Sequence, residues 1–373
     1  MFIDRKFPNT RLRRLRRNTN LIDLVAETTL TQNDLIQPIF IKENLSGIEN
    51  IESMPNIFRY GVDEALKEIE DITSSGINSI AVFPVIDPKN KDSKGSEAIK
   101  NNNFISTSIE AIKKQFPDIV LIADVALDPY TDHGHDGIII DGEVDNDETI
   151  KLLIEQSLIL AESGADIIAP SDMMDGRIGY IRQAFEKNNF KNTILLSYAA
   201  KFSSKFYGPF RDAVGSSSNI GNSSKSSYQM SANNKQEALQ EVAMDINEGA
   251  DIVMIKPAMP YLDIIHLIKD SFKIPTFALA WNSSEKSSFS SHTSSLLGGD
   301  GHPISPYGQQ LISPLLWNGT APFVLKKHCP GWGLFGPANT EKSQPIVFTH
   351  NSQHSSFVIL ERLLRHEVLF LPR

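Results

Sequence analysis

The clearest pattern along the chain is a recurring unit: an amphipathic stretch, a glycine, then an unbroken apolar run. In LKEIEDITSSGINSIAVFPV, Leu66, Ile69 and Ile72 share one helical face, Gly76 follows, and the apolar run begins. LIEQSLILAESGADIIAPS repeats the unit around Gly164, and LQEVAMDINEGADIVMIKP repeats it around Gly249. A glycine at that point suits the left-handed residue that ends a helix. An Ile- and Val-rich run without polar alternation suits a strand buried on both faces. Helix followed by strand, three times over, predicts a parallel sheet. Further apolar runs at 35–41, 119–127, 193–200 and 275–280 bring the predicted strands to about seven, with helical segments between most of them. A closed (β/α) barrel wants eight. The alternative is an open, doubly wound sheet, although no glycine-rich fingerprint follows a first strand to support a dinucleotide-binding version.

The pattern changes near residue 280. Beyond it lie all three tryptophans, Cys329 and six of the nine histidines, and residues 281–300 hold eight serines. Hydrophobic periodicity fades, returning only in APFVLKKH, PIVFTH and SFVILERLLRHEVLFL, of which the last reads as a possible helix. A shift this sharp marks a boundary or a segment of different origin. The expected organisation is an N-terminal arm at 1–30, a (β/α) barrel at 31–280, and an atypical, poorly ordered Ser-rich tail at 281–373. The tail histidines match no metal-ligand spacing and read as scatter.

Composition narrows the function. The chain has 373 residues, enough for one large barrel or two smaller domains, and its net charge of -9 argues against a nucleic-acid partner. No run of eighteen apolar residues predicts a membrane span. RLRRLRRN at the start lacks the apolar core of a secretory signal and reads as an arm that packs on a neighbour or on the chain itself. A single cysteine builds neither an intrachain disulfide nor a multi-thiolate zinc site, and fits a reducing cytoplasm.

The candidate chemistry lies in two lysines that end apolar runs, Lys201 in TILLSYAAK and Lys256 in GADIVMIKP. The carboxyl ends of barrel strands are where such folds keep their reactive groups. An amine is a nucleophile at neutral pH only if a neighbouring cation or an apolar pocket lowers its pKa, and two lysines facing one cavity do this for each other. The other reading of each is a solvated charge at a strand end. The loop DVALDPYTDHGHDGIIIDGE carries Asp124, Asp128, Asp132, His133, His135, Asp136 and Asp141, a set that suits a divalent cation, a bias on nearby lysines, or simply an acidic solvent loop. After Lys201 comes a long Ser-, Gly- and Asn-rich stretch. Its length suits either a functional lid or a disordered linker; as a lid, which its place directly after Lys201 favours, Arg211, Lys225 and Gln229 converge on a carboxylate while Tyr207 and Phe210 exclude water.

The segments RLRRLRRN, IAVFPVI, DVALDPYTDHGHDG, SDMMDGRIGYIR, SYAAKFSSKFYGPFRDA, SYQM and VMIKPAMPYLDII together resemble the 5-aminolevulinate dehydratases, also called porphobilinogen synthases, from about Arg11 to Ala278. The resemblance implies an eight-stranded (β/α) barrel, an arm that wraps a partner subunit, and a homo-oligomer, typically an octamer. It implies condensation of two molecules of 5-aminolevulinate to porphobilinogen, with loss of two waters, in tetrapyrrole biosynthesis. By position, Lys201 and Lys256 are similar to the family's two Schiff-base lysines. Arg211, Lys225 and Gln229 resemble the groups that hold one substrate's carboxylate, and Ser171 and Phe210 resemble walls of the other pocket. One branch of the family binds zinc through three loop cysteines; here those positions are Ala126, Asp128 and Asp136. Without thiolates, zinc of that kind is not expected. The chain resembles the carboxylate-rich branch, which implies magnesium: Glu241 matches the glutamate of the family's allosteric site, Asp172 assists through water, and Asp128 and Asp136 are further candidate ligands.

The resemblance breaks after PTFA. The family continues there with a tyrosine, glutamine, valine, serine and glycine, and its serine, with a tyrosine on the eighth strand, holds the second substrate's carboxylate. This chain continues LAWNSSEKSS, with no eighth strand-and-helix unit and only Ser283 and Ser284 near the right distance. A lost anchor leaves a buried carboxylate unpaired, and a missing strand leaves open edges. Three readings remain: an active enzyme whose tail improvises the strand, an inactive relative that assembles with other subunits or binds one substrate, and a lysine-dependent aldolase, which accounts for one lysine but not two.

Overall fold

The computed structural model describes residues 5–54, 56–216, 225–282 and 356–360. Among the described residues, those up to Thr29 fall in one unit, and those from Leu30 to Asn282 with Ser356–Leu360 in a second. In the first, a 3-10 turn at Leu12–Arg16 leads to the short helix α1 (Thr19–Leu24), whose Asn18 side chain accepts a hydrogen bond from the Leu21 N–H at 3.0 Å. That bond satisfies one of the donors a helix start leaves open.

The second unit is built on β1 (Leu35–Lys42), β2 (Ile48–Asn50), β3 (Phe58–Tyr60), β4 (Ser79–Val85), β5 (Val120–Val125), β6 (Ile138–Ile140), β7 (Glu143–Asp145), β8 (Ile167–Pro170), β9 (Ile194–Lys201), β10 (Ile252–Lys256), β11 (Thr276–Asn282) and β12 (Ser356–Leu360). Between them run α2 (Val62–Ser74), α3 (Phe104–Gln115), α4 (Asn146–Glu162), α5 (Arg177–Lys187), α6 (Gly208–Ala213), α7 (Lys235–Glu248) and α8 (Leu262–Phe272). The seven predicted runs are β1, β4, β5, β8, β9, β10 and β11, each parallel to its neighbours in that order. Gly76, Gly164 and Gly249 follow α2, α4 and α7 at φ +91°, +101° and +110°, where a β-carbon is penalised, so the helix-stop reading holds.

The eighth position is filled, but by a strand of opposite direction. β12 pairs antiparallel with β11 from Ala278↔Leu360 to Asn282↔Ser356, and with β1 at Leu35↔Leu360 and Ile36↔Ile359. The ring therefore closes. It corrects one expectation: Ser356–Leu360, at the front of the predicted helix, is a strand. A five-residue apolar run flanked by two open edges satisfies its backbone in their ladders, which a lone helical turn does not. The remaining tail, 283–355 and 361–373, lies outside the described residues, as do the tail histidines, Ser283 and Ser284. Because β12 reaches only the amino end of β1, the carboxyl end of that edge is taken by β3, parallel at Phe40↔Arg59 and Ile41↔Tyr60.

Inward-facing residues, among them Phe40, Phe83, Ile122, Leu196, Tyr198, Met254 and Phe277, form one buried core. No described helix is long and apolar enough to cross a membrane.

Candidate active site

The two lysines end neighbouring strands and stand opposite one another, Lys256↔Lys201. Their pairing depends on an irregularity. Val253 pairs with Ser197, but Ile255 pairs with Ala200, so one extra residue of β9 is taken up between them. An uninterrupted register would set Lys256 against Ala200. The bulge brings the two amines level, as bulges commonly do beside active sites.

Each lysine is buried, and their surroundings differ. The Lys256 Nζ lies 3.8 Å from the centre of the Phe210 ring, 5.3 Å from that of Tyr198 and 5.4 Å from that of Tyr207. Burial in this aromatic cage, then the charge of Lys201, bring its amine down to about 7. The Lys201 Nζ donates to the Ser171 carbonyl and lies 3.8 Å from Asp136 Oδ1. One amine is thus held dry and ready to be neutral; the other is held by oxygen acceptors.

The acidic loop after β5 supplies those oxygens. Lys225 Nζ sits between Asp128 Oδ2 at 3.1 Å and Asp136 Oδ2 at 3.0 Å. Burial pushes the Asp136 carboxyl up, but Lys201 and Lys225 together bring it down to about 2. Burial depresses Lys225 and the two carboxylates more than reverse this, leaving it raised. Tyr228 adds its hydroxyl to the Asp136 N–H, which donates to it at 3.3 Å. Asp124, at the end of β5, carries the carboxyl most suited to proton exchange. Burial raises it to about 7 against the pull of Lys256, and the Ser171 side chain hydrogen-bonds to it. It was legible only as one acid among several in the loop.

The rest of the expected set falls as follows. Phe210 packs edge-on against Phe83 at 5.2 Å and Phe40 at 6.0 Å, and Arg211 follows it on α6. Gln229 is buried one turn after Lys225, its N–H donating to the Lys225 carbonyl at 2.9 Å. Tyr207 donates its hydroxyl to the Lys256 carbonyl at 2.8 Å. Residues 217–224 of the lid stretch lie outside the described residues.

Glu241 and Asp172 belong to a second cluster, organised by Arg177. This buried guanidinium donates to Ser197 Oγ at 3.1 Å and to the Met174 carbonyl at 3.1 Å, and pairs with Asp172 and Asp245 at 3.5 Å each. Burial raises the Asp172 carboxyl to about 6, with Arg177 opposing. Burial, then Asp245, raises that of Glu241. Among the described residues no three His, Cys, Asp or Glu side chains form a ready metal shell.

Comparison with known proteins gives one answer. The family model described as delta-aminolevulinic acid dehydratase matches residues 9–291, somewhat past Ala278. A delta-aminolevulinic acid dehydratase of Methanothermus sociabilis is 50% identical over 273 residues, 73% of this chain and 84% of that protein. One of Bradyrhizobium diazoefficiens is 50% identical over 255 residues, 68% of this chain and 72% of its own length. Among solved structures, the Toxoplasma gondii delta-aminolevulinic acid dehydratase (porphobilinogen synthase) in complex with the reaction product porphobilinogen superposes with a TM-score of 0.70 at 39% identity, covering 72% of this chain and 76% of that one.

Proposed function

The chain belongs to the delta-aminolevulinic acid dehydratase family, and on that premise we propose that it condenses two molecules of 5-aminolevulinate to porphobilinogen, with loss of two waters, through imines on Lys201 and Lys256. The observation that carries this reading is the pairing of two buried amines at one end of the barrel, one of them brought down to about 7. A neutral Lys256 attacks a substrate ketone; the resulting carbinolamine must lose hydroxide as water, which takes a proton donor. Asp124, near 7, both gives and accepts a proton at neutral pH, the range in which general acid–base catalysis works best. Once protonated, the imine is a stronger electron sink than the ketone and eases proton loss at the adjacent carbon. Lys201, held by the Ser171 carbonyl, takes the other substrate. Arg211, Lys225 and Gln229 receive a substrate carboxylate, which would take Lys225 from Asp128 and Asp136. Ser171 and Phe210 wall the pocket.

The metal reading follows from the donor sets. Asp128 and Asp136 already share the Lys225 ammonium, so a cation between them is redundant. The Glu241 cluster fits one better: Glu237 Oε2 is buried with no hydrogen-bond partner, and Asp245 and Glu237 both oppose ionisation of Glu241. Magnesium keeps several waters and needs only one or two carboxylates. Glu241, with Asp172 behind Arg177, would hold it, and bound there it supplies positive charge that lets the cluster ionise. The arm at 1–30 joins copies of the chain, as an octamer, in the cytoplasm. Leu12 and Leu24, 62% and 78% exposed, are apolar surface for such a contact.

The replaced eighth strand favours a second reading, an inactive relative that forms imines and stops. Purified chain incubated with 5-aminolevulinate and assayed for a pyrrole separates them. Pyrrole that disappears in Lys201→Met and Lys256→Met supports the enzyme; imines without pyrrole support the inactive relative.

A further inference from the structure

The mouth of the barrel is covered on one side by α6, a helix of six residues. So short a helix does not hold itself together in water. Its anchor is a side chain that imine chemistry does not use. Arg59, on β3, donates from Nε to the Ala213 carbonyl at 2.8 Å and from Nη2 to the Asp212 carbonyl at 2.5 Å. These are the last two residues of α6, whose carbonyls carry partial negative charge; that of Asp212 also accepts the Gly215 N–H at 3.0 Å. One planar guanidinium reaches both. Two further contacts hold it, Nη1 to Glu49 Oε1 at 2.5 Å and Nη2 to the Asp212 carboxylate at 3.5 Å. The hydrogen bond from Lys42, with that from Arg59, brings the Glu49 carboxyl down further than burial pushes it up, so it stays a firm acceptor. Ser53 adds a hydrogen bond to Asp212 Oδ2 at 2.5 Å, and Lys91 Nζ one to the Gly215 carbonyl at 3.2 Å.

Two features make this clamp consequential. Phe210, whose ring lies 3.8 Å from Lys256 Nζ, is on α6 itself. Arg59 stands where the wall of this barrel departs from eight full strands: β12 pairs with β1 only at Leu35 and Ile36, and at Phe40 the edge is covered by Arg59's own strand. The same residue therefore contacts the end of the helix and stands at the seam.

We propose that Arg59 is the latch of the active-site cover, a positioning residue that keeps α6 seated so that Phe210 shields Lys256 from water. The proposal rests on the imine chemistry above. Among the described residues, the hydrogen bond and ion pair of the Lys201 amine, to the Ser171 carbonyl and Asp136, come from elsewhere than α6. Loss of the latch should therefore affect the two lysines unequally, which a general loss of fold would not.

The test uses the full chain, 5-aminolevulinate and borohydride at pH 7, with reduced adducts at Lys201 and Lys256 counted separately by peptide mass. Arg59→Ala is expected to cut trapping at Lys256 about fivefold, the effect at pH 7 of returning its pKa by about one unit, and to leave Lys201 within about twofold. Arg59→Lys, which keeps the charge but loses the fork, is expected to show the same imbalance to a lesser degree. If Arg59→Ala does not fold, Arg59→Lys and Asp212→Asn decide. Wild-type ratios at the two lysines in the folded variants, or an equal fall at both, would overturn the latch alone. An unmodified wild-type chain would overturn the imine reading and the latch with it.

Discussion

Replacing Phe210 by alanine separates the two ways its ring acts on Lys256. The ring face attracts an ammonium, worth about 0.5–2 kcal/mol, which favours the charged amine. Its bulk keeps water away, which favours the neutral one. The second effect is the larger, because the amine falls from 10.5 to about 7, a preference for neutrality of about 5 kcal/mol, with burial the leading cause and Lys201 the next. Readmitting water on one side of the cage returns part of this. If the net return is about 2 kcal/mol, the amine rises to about 8.5, and its neutral fraction at pH 7.5 drops from about three-quarters to about one-tenth. Trapping of Lys256 by 5-aminolevulinate and borohydride is then expected to slow about eightfold at pH 7.5 and hardly at all at pH 9.5. The assay is the pH profile of adduct formation at Lys256, with Lys201 in the same digest as control. A midpoint that stays where it was, or moves down, would refute the claim that exclusion of water sets this pKa.

Three more outcomes follow from the site. Lys256→Met is expected to be more stable than the parent at pH 7: the unfolded chain binds a proton between pH 7 and 10.5 that the native Lys256 does not, so stability rises with pH across that window and the buried amine costs most below it. A gain of about 1–3 kcal/mol, a few degrees in Tm by calorimetry, is expected at pH 7, shrinking toward pH 10; a lower Tm at pH 7 would contradict the sign. Asp124→Asn is expected to lower pyrrole formation by about 10²–10⁴-fold and to slow imine trapping at Lys256, since the proton carrier for carbinolamine dehydration is lost; unchanged turnover would remove Asp124 from the chemistry. Magnesium at about a hundred times its dissociation constant is expected to stabilise the parent chain by about 2.7 kcal/mol and Glu241→Gln by much less, read as a Tm shift; equal shifts would place the ion elsewhere.

Much of the fold was legible because it obeys local rules. Apolar runs bounded by Gly76, Gly164 and Gly249 mark strands whose helices must stop first, and all seven predicted runs are strands. The eighth was not, since SFVIL can serve helix or strand, and only the open edges of β1 and β11 choose between them. Its reversed direction has no local signature at all. At the site, Lys201 and Lys256 stood out as charges ending apolar runs, but the bulge in β9 that sets them level is a property of two strands together. From sequence, Lys225 is a candidate ligand for a substrate carboxylate. In the folded chain it meets Asp128 and Asp136, about ninety residues earlier in sequence, an encounter created by the parallel pairing of β5, β8 and β9. Arg59 gave no signal, being one arginine in a short surface-like stretch whose partner, the end of α6, lies far along the chain.

The most direct measurement is the adduct map of the unmodified chain. Incubated with 5-aminolevulinate, reduced and digested, it is expected to carry substrate on Lys201 and on Lys256, and on no other lysine to a comparable extent. Adducts on neither, or spread over exposed lysines such as Lys67 and Lys151 instead, would contradict the account.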